Sequence, residues 1–342
     1  MQARAQPLVS VIVPCYNEED TIDQVLQALA EQTYPHHRLE VWVVDGMSTD
    51  GTLDRIDRFT AARPDLRLRV IANPRRIIPA AMNLGIAQAG GKYLLRMDAH
   101  AVPARDYVAR CVELLDSRVA DNVGGRWIIV PGANTPLARA IALAAGHPFG
   151  SGDARYRYSQ RGGYVDTVPF GAFCRDLFER VGGYDEALLS NEDYDLNYRI
   201  RRAGGRIYFS PQITATYVAR STLSALARQY FRYGWWKVRM LYKHPAAVRW
   251  RQLVPAAFVA GLVWLGLVGL AFPGLAAAWL GLVGSYVLVS GGVAVSMMRR
   301  HPVEWRVALC LPLVFAVIHL CWGIGYWAGL PGAVWAHQPG RE

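Results

Sequence analysis

The chain carries no charged residue from Leu253 to Met298, and none again from Val307 to Ala336. All but six of its Asp, Glu, Lys and Arg side chains lie in the first 252 residues. That split excludes a uniformly water-soluble protein. A hydrophobic content of 52% excludes a disordered one. The first uncharged stretch, as one helix, would span roughly 69 Å at 1.5 Å per residue, about twice a bilayer core. Pro273-Gly274 near its middle marks a turn, which predicts spans over Leu253–Phe272 and Leu275–Met298. Val307–Leu330 is a third candidate, giving a membrane domain over 253–336. Basic residues cluster before the first span and at Arg299, Arg300 and Arg306, whereas the connection at Pro273 has none. The positive-inside rule then places residues 1–252 and the 299–306 loop in the cytoplasm of a multi-pass inner (plasma) membrane protein. Three crossings put the C-terminus outside.

Residues 222–252 join the two regions. Arg228, Arg232, Lys237, Arg239, Lys243, Arg249 and Arg251 alternate there with Tyr230, Phe231, Tyr233, Trp235, Trp236 and Trp250. A basic, aromatic helix without acids is suited to a membrane interface, so membrane lipids are its expected partners. The charge-free stretch that follows at once argues against nucleic acid as the partner. The five cysteines form no CxxC pair, and two lie in the apolar tail, so neither a disulfide framework nor a zinc site is indicated.

Residues 1–221 read as alternating strands and helices. Val9–Pro14, Val41–Val44, Leu68–Ile71 and Tyr93–Met97 are short apolar or β-branched runs. Between them, Ile22, Val25, Leu26 and Leu29 have helical spacing, as do Leu53, Ile56 and Phe59. Thr49 or Asp50 suits the N-cap of the latter helix, and a third helix runs from Pro79 to Gln88. This order predicts a mostly parallel sheet, with ligands at the carboxyl ends of its strands. Asp45, Asp98 and the Pro14–Asn17 segment stand at three such ends. Further on, Val123–Val130 predicts a strand and 146–163 a long polar loop. A helix is expected over 191–203, followed by two short strands near 206–209 and 214–218.

Singly, each acidic residue has a bland explanation: Asp45 as a turn residue, Asp98 as a strand terminus, Glu192-Asp193 as acids at a helix start. Together they form a pattern. Val13-Pro14-Cys15-Tyr16-Asn17-Glu18, with Val43-Val44-Asp45-Gly46-Met47-Ser48-Thr49-Asp50-Gly51-Thr52, resembles the start of the family 2 glycosyltransferases of GT-A fold. Asp98-Ala99-His100 stands at that family's DxD. Gly182-Gly183-Tyr184-Asp185 is similar to its GGFD, Asn191-Glu192-Asp193 to its ED segment, and Gln229–Tyr233 to its QxxRW with Tyr for Trp. His147–Gly152 and the apolar tail most resemble succinoglycan-type exopolysaccharide enzymes.

The resemblance implies a GT-A nucleotide-sugar-binding domain with a mostly parallel sheet, followed by transmembrane helices. It implies that Asp45, with Pro14, Tyr16 and Glu18, frames the nucleoside of a nucleotide-sugar donor, for which UDP-sugars are the first expectation. Asp98 would hold Mg²⁺ or Mn²⁺ at the donor diphosphate, with His100 either a second ligand or a bystander. Asp193 would be the general base of an inverting transfer. Glu192, Gln229, Arg232 and Tyr233 would face acceptor or diphosphate. A polyprenyl-linked glycan is the implied acceptor, in exopolysaccharide or cell-surface glycan synthesis. Transfer of one sugar to polyprenyl phosphate, or an inactive membrane scaffold, are the competing readings.

Overall fold

The computed structural model describes residues 7–300 and 303–336. Two compact units divide it: residues up to Ile128 with Tyr158–Tyr217, and Ile129–Arg157 with Val218 onwards.

The first unit is built on one mixed sheet. Its strands are β1 (Val9–Cys15), β2 (Leu39–Asp45), β3 (Arg67–Ala72), β4 (Tyr93–Arg96), β5 (Ala101–Pro103), β6 (Asn122–Val130), β7 (Gly163–Tyr164), β8 (Ala172–Cys174) and β9 (Ile207–Val218). Their order is β3-β2-β1-β4-β8-β6-β9-β5, with β7 on β9. The first four run parallel, β8 is antiparallel to both β4 and β6, and β5 and β7 are antiparallel to β9. Both faces of β1, β2 and β4 are covered, so these strands are apolar without alternation. β3 is an edge strand, which is why Val70 is exposed. Helices α1 (Ile22–Ala30), α2 (Thr52–Ala62), α3 (Ile78–Gln88) and α4 (Tyr107–Asp116) lie between the early strands. In α1 the four spaced residues Ile22, Val25, Leu26 and Leu29 are all buried.

The second unit contains α5 (Pro136–Ala145) and α6 (Pro148–Ser151); the first unit resumes with α7 (Asp176–Val181) and α8 (Glu192–Arg202). Then follow α9 (Leu223–Lys243), α10 (Trp250–Gly269), α11 (Pro273–Arg300) and α12 (Trp305–Ala336). The last three are long and apolar enough to cross a membrane.

Several expectations need correction. Neither Thr49 nor Asp50 is the N-cap of α2; Gly51 is, although Asp50 Oδ1 still accepts from the Thr52 amide at 3.1 Å. The stretch 146–163 is not one polar loop. It contains the helical turn α6, because Phe149 has aromatic partners in Phe315, His319 and Tyr286 that hold it in place. The two short strands after α8 are one strand, β9, which runs through Ser210-Pro211. The basic segment is α9, a 3-10 turn at Pro245–Ala247 and the start of α10.

Candidate active site

The site of the first unit grows from the carboxyl ends of β3, β2, β1 and β4, four neighbours in the sheet. Cys15 at the end of β1 lies in register with Asp45 at the end of β2. The chain then turns sharply on both strands, with Asn17 at φ 52° and Met47 at φ 62°. These left-handed residues let the two loops clasp each other. The Asn17 amide donates to Ser48 Oγ at 2.9 Å, and the Thr49 amide donates to Asn17 Oδ1 at 2.8 Å. Below them the Glu18 amide donates to Thr52 Oγ1 at 2.8 Å, and the Gly51 amide to Glu19 Oε2 at 2.8 Å. The polar residues of both motifs therefore first fix one another. Asp45 is buried and is fixed by its own loop, accepting from Ser48 N at 3.0 Å and from Ser48 Oγ at 2.6 Å. Pro14 is buried within β1 opposite Val44, whereas Tyr16 is 48% exposed and lies against Gly46.

A second clasp ties β1 to β4. Glu18 accepts from Thr21 Oγ1 at 2.6 Å and from His100 Nδ1 at 2.9 Å. Burial opposes ionisation of Glu18, but these hydrogen bonds outweigh it and hold the carboxyl below its ordinary value. With its Nδ1–H on a carboxylate, the imidazole is oriented as metal-binding histidines commonly are.

Arg96, the last residue of β4, is the centre of the site and was missed in sequence. Its Nε donates to Asp98 Oδ1 at 2.8 Å and its Nη1 to Glu192 Oε1 at 2.9 Å. Burial works against this guanidinium, yet Asp98 and Glu192 raise its pKa well above the ordinary value. Glu192 is pushed up, by burial first and by its neighbour Asp193 as well, since one guanidinium serves several carboxylates. Arg96 thus links the Asp98 corner to the start of α8. The signal was a lone arginine inside an apolar strand, where a charge has to be paired.

At α8, Asn191 adopts φ 64° and swings the chain so that Glu192 points inward while Asp193 is half-exposed in the first turn. The Gly182–Asp185 segment is set beside it by Asn83, which accepts from the Tyr184 amide at 2.7 Å and donates to the Tyr184 carbonyl at 2.9 Å. A Cβ on Gly183 would lie 2.4 Å from Asn83 Oδ1, and Gly182 needs φ 74°, so this double glycine is a packing requirement. Asn73, just past β3, is another missed residue. Its side chain is buried and donates to the Ile77 carbonyl at 3.0 Å, and Oδ1 has no protein partner among the described residues. Gln229, Arg232 and Tyr233 belong to α9 in the second unit. Gln229 Nε2 donates to Tyr233 Oη at 2.9 Å, and Arg232 is exposed.

The family model described as Glycosyl transferase family 2 matches residues 10–182, which include this whole corner up to Gly182. Succinoglycan biosynthesis protein ExoA of Rhizobium meliloti (strain 1021) is 32% identical, over 94% of this chain and 94% of its own length. The chain belongs to glycosyl transferase family 2.

A second relative of this glycosyltransferase comes from Methanococcus voltae. It is a dolichyl N-acetyl-α-D-glucosaminyl phosphate 3-β-D-2,3-diacetamido-2,3-dideoxy-β-D-glucuronosyltransferase, 24% identical over 94% of this chain and 97% of its own. In fold the glycosyltransferase is similar to the mannosyltransferase PcManGT of Pyrobaculum calidifontis, solved with GDP-Man and Mn²⁺. The TM-score is 0.60 at 22% identity, covering 97% of this chain and 88% of that one. That likeness establishes the GT-A fold.

The residues present suit a divalent ion that arrives with further ligands of its own. Among the described residues no group of three or more His, Cys, Asp or Glu could hold a metal unaided. Asp98 offers a hard oxygen, and His100, two residues on, is held by Glu18 at 2.9 Å. One or two protein ligands suit Mg²⁺ or Mn²⁺ arriving with substrate phosphates as further ligands.

Proposed function

We propose that this glycosyltransferase is anchored to the cytoplasmic face of the inner membrane and moves one sugar, with inversion, from a nucleotide-sugar to a lipid-linked glycan. The observation that carries the reading is the Asp98–Arg96–Glu192 link, which couples a donor-phosphate corner to a carboxylate pair at the start of α8. A binding scaffold would have no need of a buried cation holding those two corners in register.

Asp45 sits at the depth of the strand ends where a nucleoside binds in open α/β sheets. Asn73 Oδ1, a buried acceptor beside the Asp45 backbone, suits a base N–H. UDP-sugars are therefore the first donor class to try. Tyr16 offers an exposed ring as a wall for the nucleoside, and Pro14 only shapes the end of β1. Asp98 and His100 would hold the divalent ion, which when bound neutralises charge on the leaving diphosphate. Glu18 keeps the imidazole in place. Asp193 takes the proton from the acceptor hydroxyl as that oxygen attacks the anomeric carbon. One displacement inverts the anomeric centre, so an α-linked donor gives a β-glycoside. Arg96 remains protonated and holds Glu192 beside the base. Arg232, with Gln229 and Tyr233, is assigned to the acceptor or its diphosphate. The three apolar helices and the relative named for a dolichyl-linked substrate support an acceptor embedded in lipid.

A screen of UDP- and GDP-sugars with purified full-length protein in detergent tests this reading. Metal-dependent turnover, with the labelled sugar recovered on a polyprenyl diphosphate glycan, is the expected result. Recovery on polyprenyl phosphate alone would change the acceptor. No turnover of any donor would leave a scaffold.

A further inference from the structure

The three apolar helices are alike in composition but not in what covers them. Helices α10 and α11 form a hairpin: Trp279 Nε1 donates to the Leu262 carbonyl at 3.0 Å, and Phe258 stacks on Tyr286 at 4.8 Å. Buried positions on this hairpin are confined to its base, at Ala256 and Val259 on one helix and Ser290, Ala294 and Met297 on the other. Residues 260–289 contain no buried side chain. The 20-residue α10 is about 30 Å long, the thickness of a hydrocarbon core.

Helix α12 is covered along one side for most of its length. Leu311, Val314, Phe315 and Ile318 pack in one cluster with Ala140, Ile141 and Ala144 of α5 and with Leu226 and Tyr230 of α9. Arg139 on α5 pairs with Glu304 at 2.6 Å. Further along, α12 and α9 touch backbone to backbone. A Cβ on Gly325 would lie 2.1 Å from the Phe231 carbonyl oxygen, and one on Gly329 2.8 Å from that of Trp235. A Cβ on Gly234 would meet the Trp322 carbonyl oxygen at 2.1 Å. Phe231 and Trp235 are four residues apart, as are Gly325 and Gly329, so the two helices run side by side in the same direction. This is the close approach that small-xxx-small spacing permits.

The consequence concerns charge. Helix α9 carries Arg228, Arg232, Lys237, Arg239 and Lys243. Whatever depth the second half of α12 reaches, Arg228, Arg232 and Lys237 beside it reach too, and a cation is strongly disfavoured at a bilayer centre. The opposite face of α12 carries the exposed apolar residues Trp305, Leu309, Leu313, Ile324 and Trp327, of which Trp327 also donates its Nε1–H to the Ala256 carbonyl at the base of α10 at 2.8 Å. Arg306 lies over the Trp305 ring at 5.5 Å, Arg251 over Trp250 at 5.4 Å and Arg239 over Trp236 at 4.9 Å. Arginine–tryptophan pairs of this kind belong at headgroup depth.

We propose that α12 does not cross the bilayer. It lies with α9 in the interface on the catalytic side, its Trp305–Trp327 stripe set into the acyl boundary of anionic lipid. The α10–α11 hairpin makes the two crossings, and the C-terminus stays on the side of the catalytic domain. This rests on the membrane-anchored reading above and replaces the three crossings expected from hydropathy.

Topology reporters on the full chain test it independently of activity. Fused after Glu342, a reporter active only in the cytoplasm should be active, and one active only beyond the membrane should be silent. Inserted between Phe272 and Pro273, the pattern should reverse. An active far-side reporter at Glu342 would overturn the proposal. A cytoplasmic pattern at Phe272–Pro273 would overturn it too, and with it the anchored reading, so the two failures are distinguishable. As a second measurement, nitroxides at L313C and I324C, in an otherwise cysteine-free active chain in anionic nanodiscs, should report the same depth. A spanning helix would separate them by about 16 Å.

Discussion

The two ends of the parallel half-sheet use the same kinds of side chain for opposite purposes. At the amino ends, Ser10 Oγ donates to Glu40 Oε1 at 2.6 Å, the Gly90 amide donates to the same oxygen at 2.6 Å, and the Gly91 amide donates to Ser10 Oγ at 2.8 Å. That network is closed on itself and pins β1 to β2 and to the entry of β4. At the carboxyl ends, Asp98, Glu192 and Asp193 surround the Arg96 guanidinium and Glu18 holds the His100 imidazole, with more negative than positive charge. A closed network stabilises the fold; a cluster with surplus charge is what a metal–diphosphate substrate can complete. Position relative to strand direction, more than residue type, separates a structural acid from a functional one.

Substitutions at the two ends should therefore fail differently. Asp98→Ala should have the largest effect, abolishing metal-dependent donor binding in titration calorimetry, with a smaller fall in the thermal midpoint because Arg96 keeps its contact to Glu192. Arg96→Met comes next. It leaves Glu192 buried without its cation, and breaking a buried pair in this way costs about 3–5 kcal/mol. Both turnover and thermal stability should fall, and Arg96→Lys should restore stability more than turnover because an ammonium cannot make both contacts in the same geometry. His100→Ala should weaken metal titration modestly and shift ion preference from Mn²⁺ towards Mg²⁺; an unchanged titration would remove the imidazole as a ligand.

The smallest effect on activity belongs to the amino ends. Ser10→Ala removes a hydrogen bond to a carboxylate, costing about 1.5–3 kcal/mol with turnover per folded molecule unchanged. Burial raises the Glu40 pKa, but the Ser10 hydroxyl and Gly90 amide overcome it, so the folded value lies below the ordinary one. Stability from a depressed carboxyl is present above the unfolded pKa and lost as pH falls through the folded pKa. The deficit of Ser10→Ala, read from denaturant midpoints, should accordingly be full at pH 7 and narrow below about pH 4.

Much of this was legible in the sequence. Apolar runs ending at Asp45 and before Asp98 gave strand direction, and direction gave the ligand edge. Three features were not legible, each for a physical reason. Arg96 was absorbed into a strand because periodicity ignores a single polar residue, although burial makes that residue decisive. Strand β9 was split at Pro211, since proline usually ends a ladder. The covering of α12 was invisible because hydropathy records what a helix is made of and not what packs on it. Glycines at 325 and 329 matter only once α9 lies beside them.

In the function proposed above, the carboxylates around Arg96 carry out inverting transfer with Asp193 as base. Asp193→Asn tests it most directly, because the amide keeps the shape and loses the base. Donor affinity by calorimetry should stay within a factor of a few of the wild type. Sugar transfer should fall by about 10²–10⁴. Unchanged turnover with intact donor binding would contradict the assignment and move the base elsewhere.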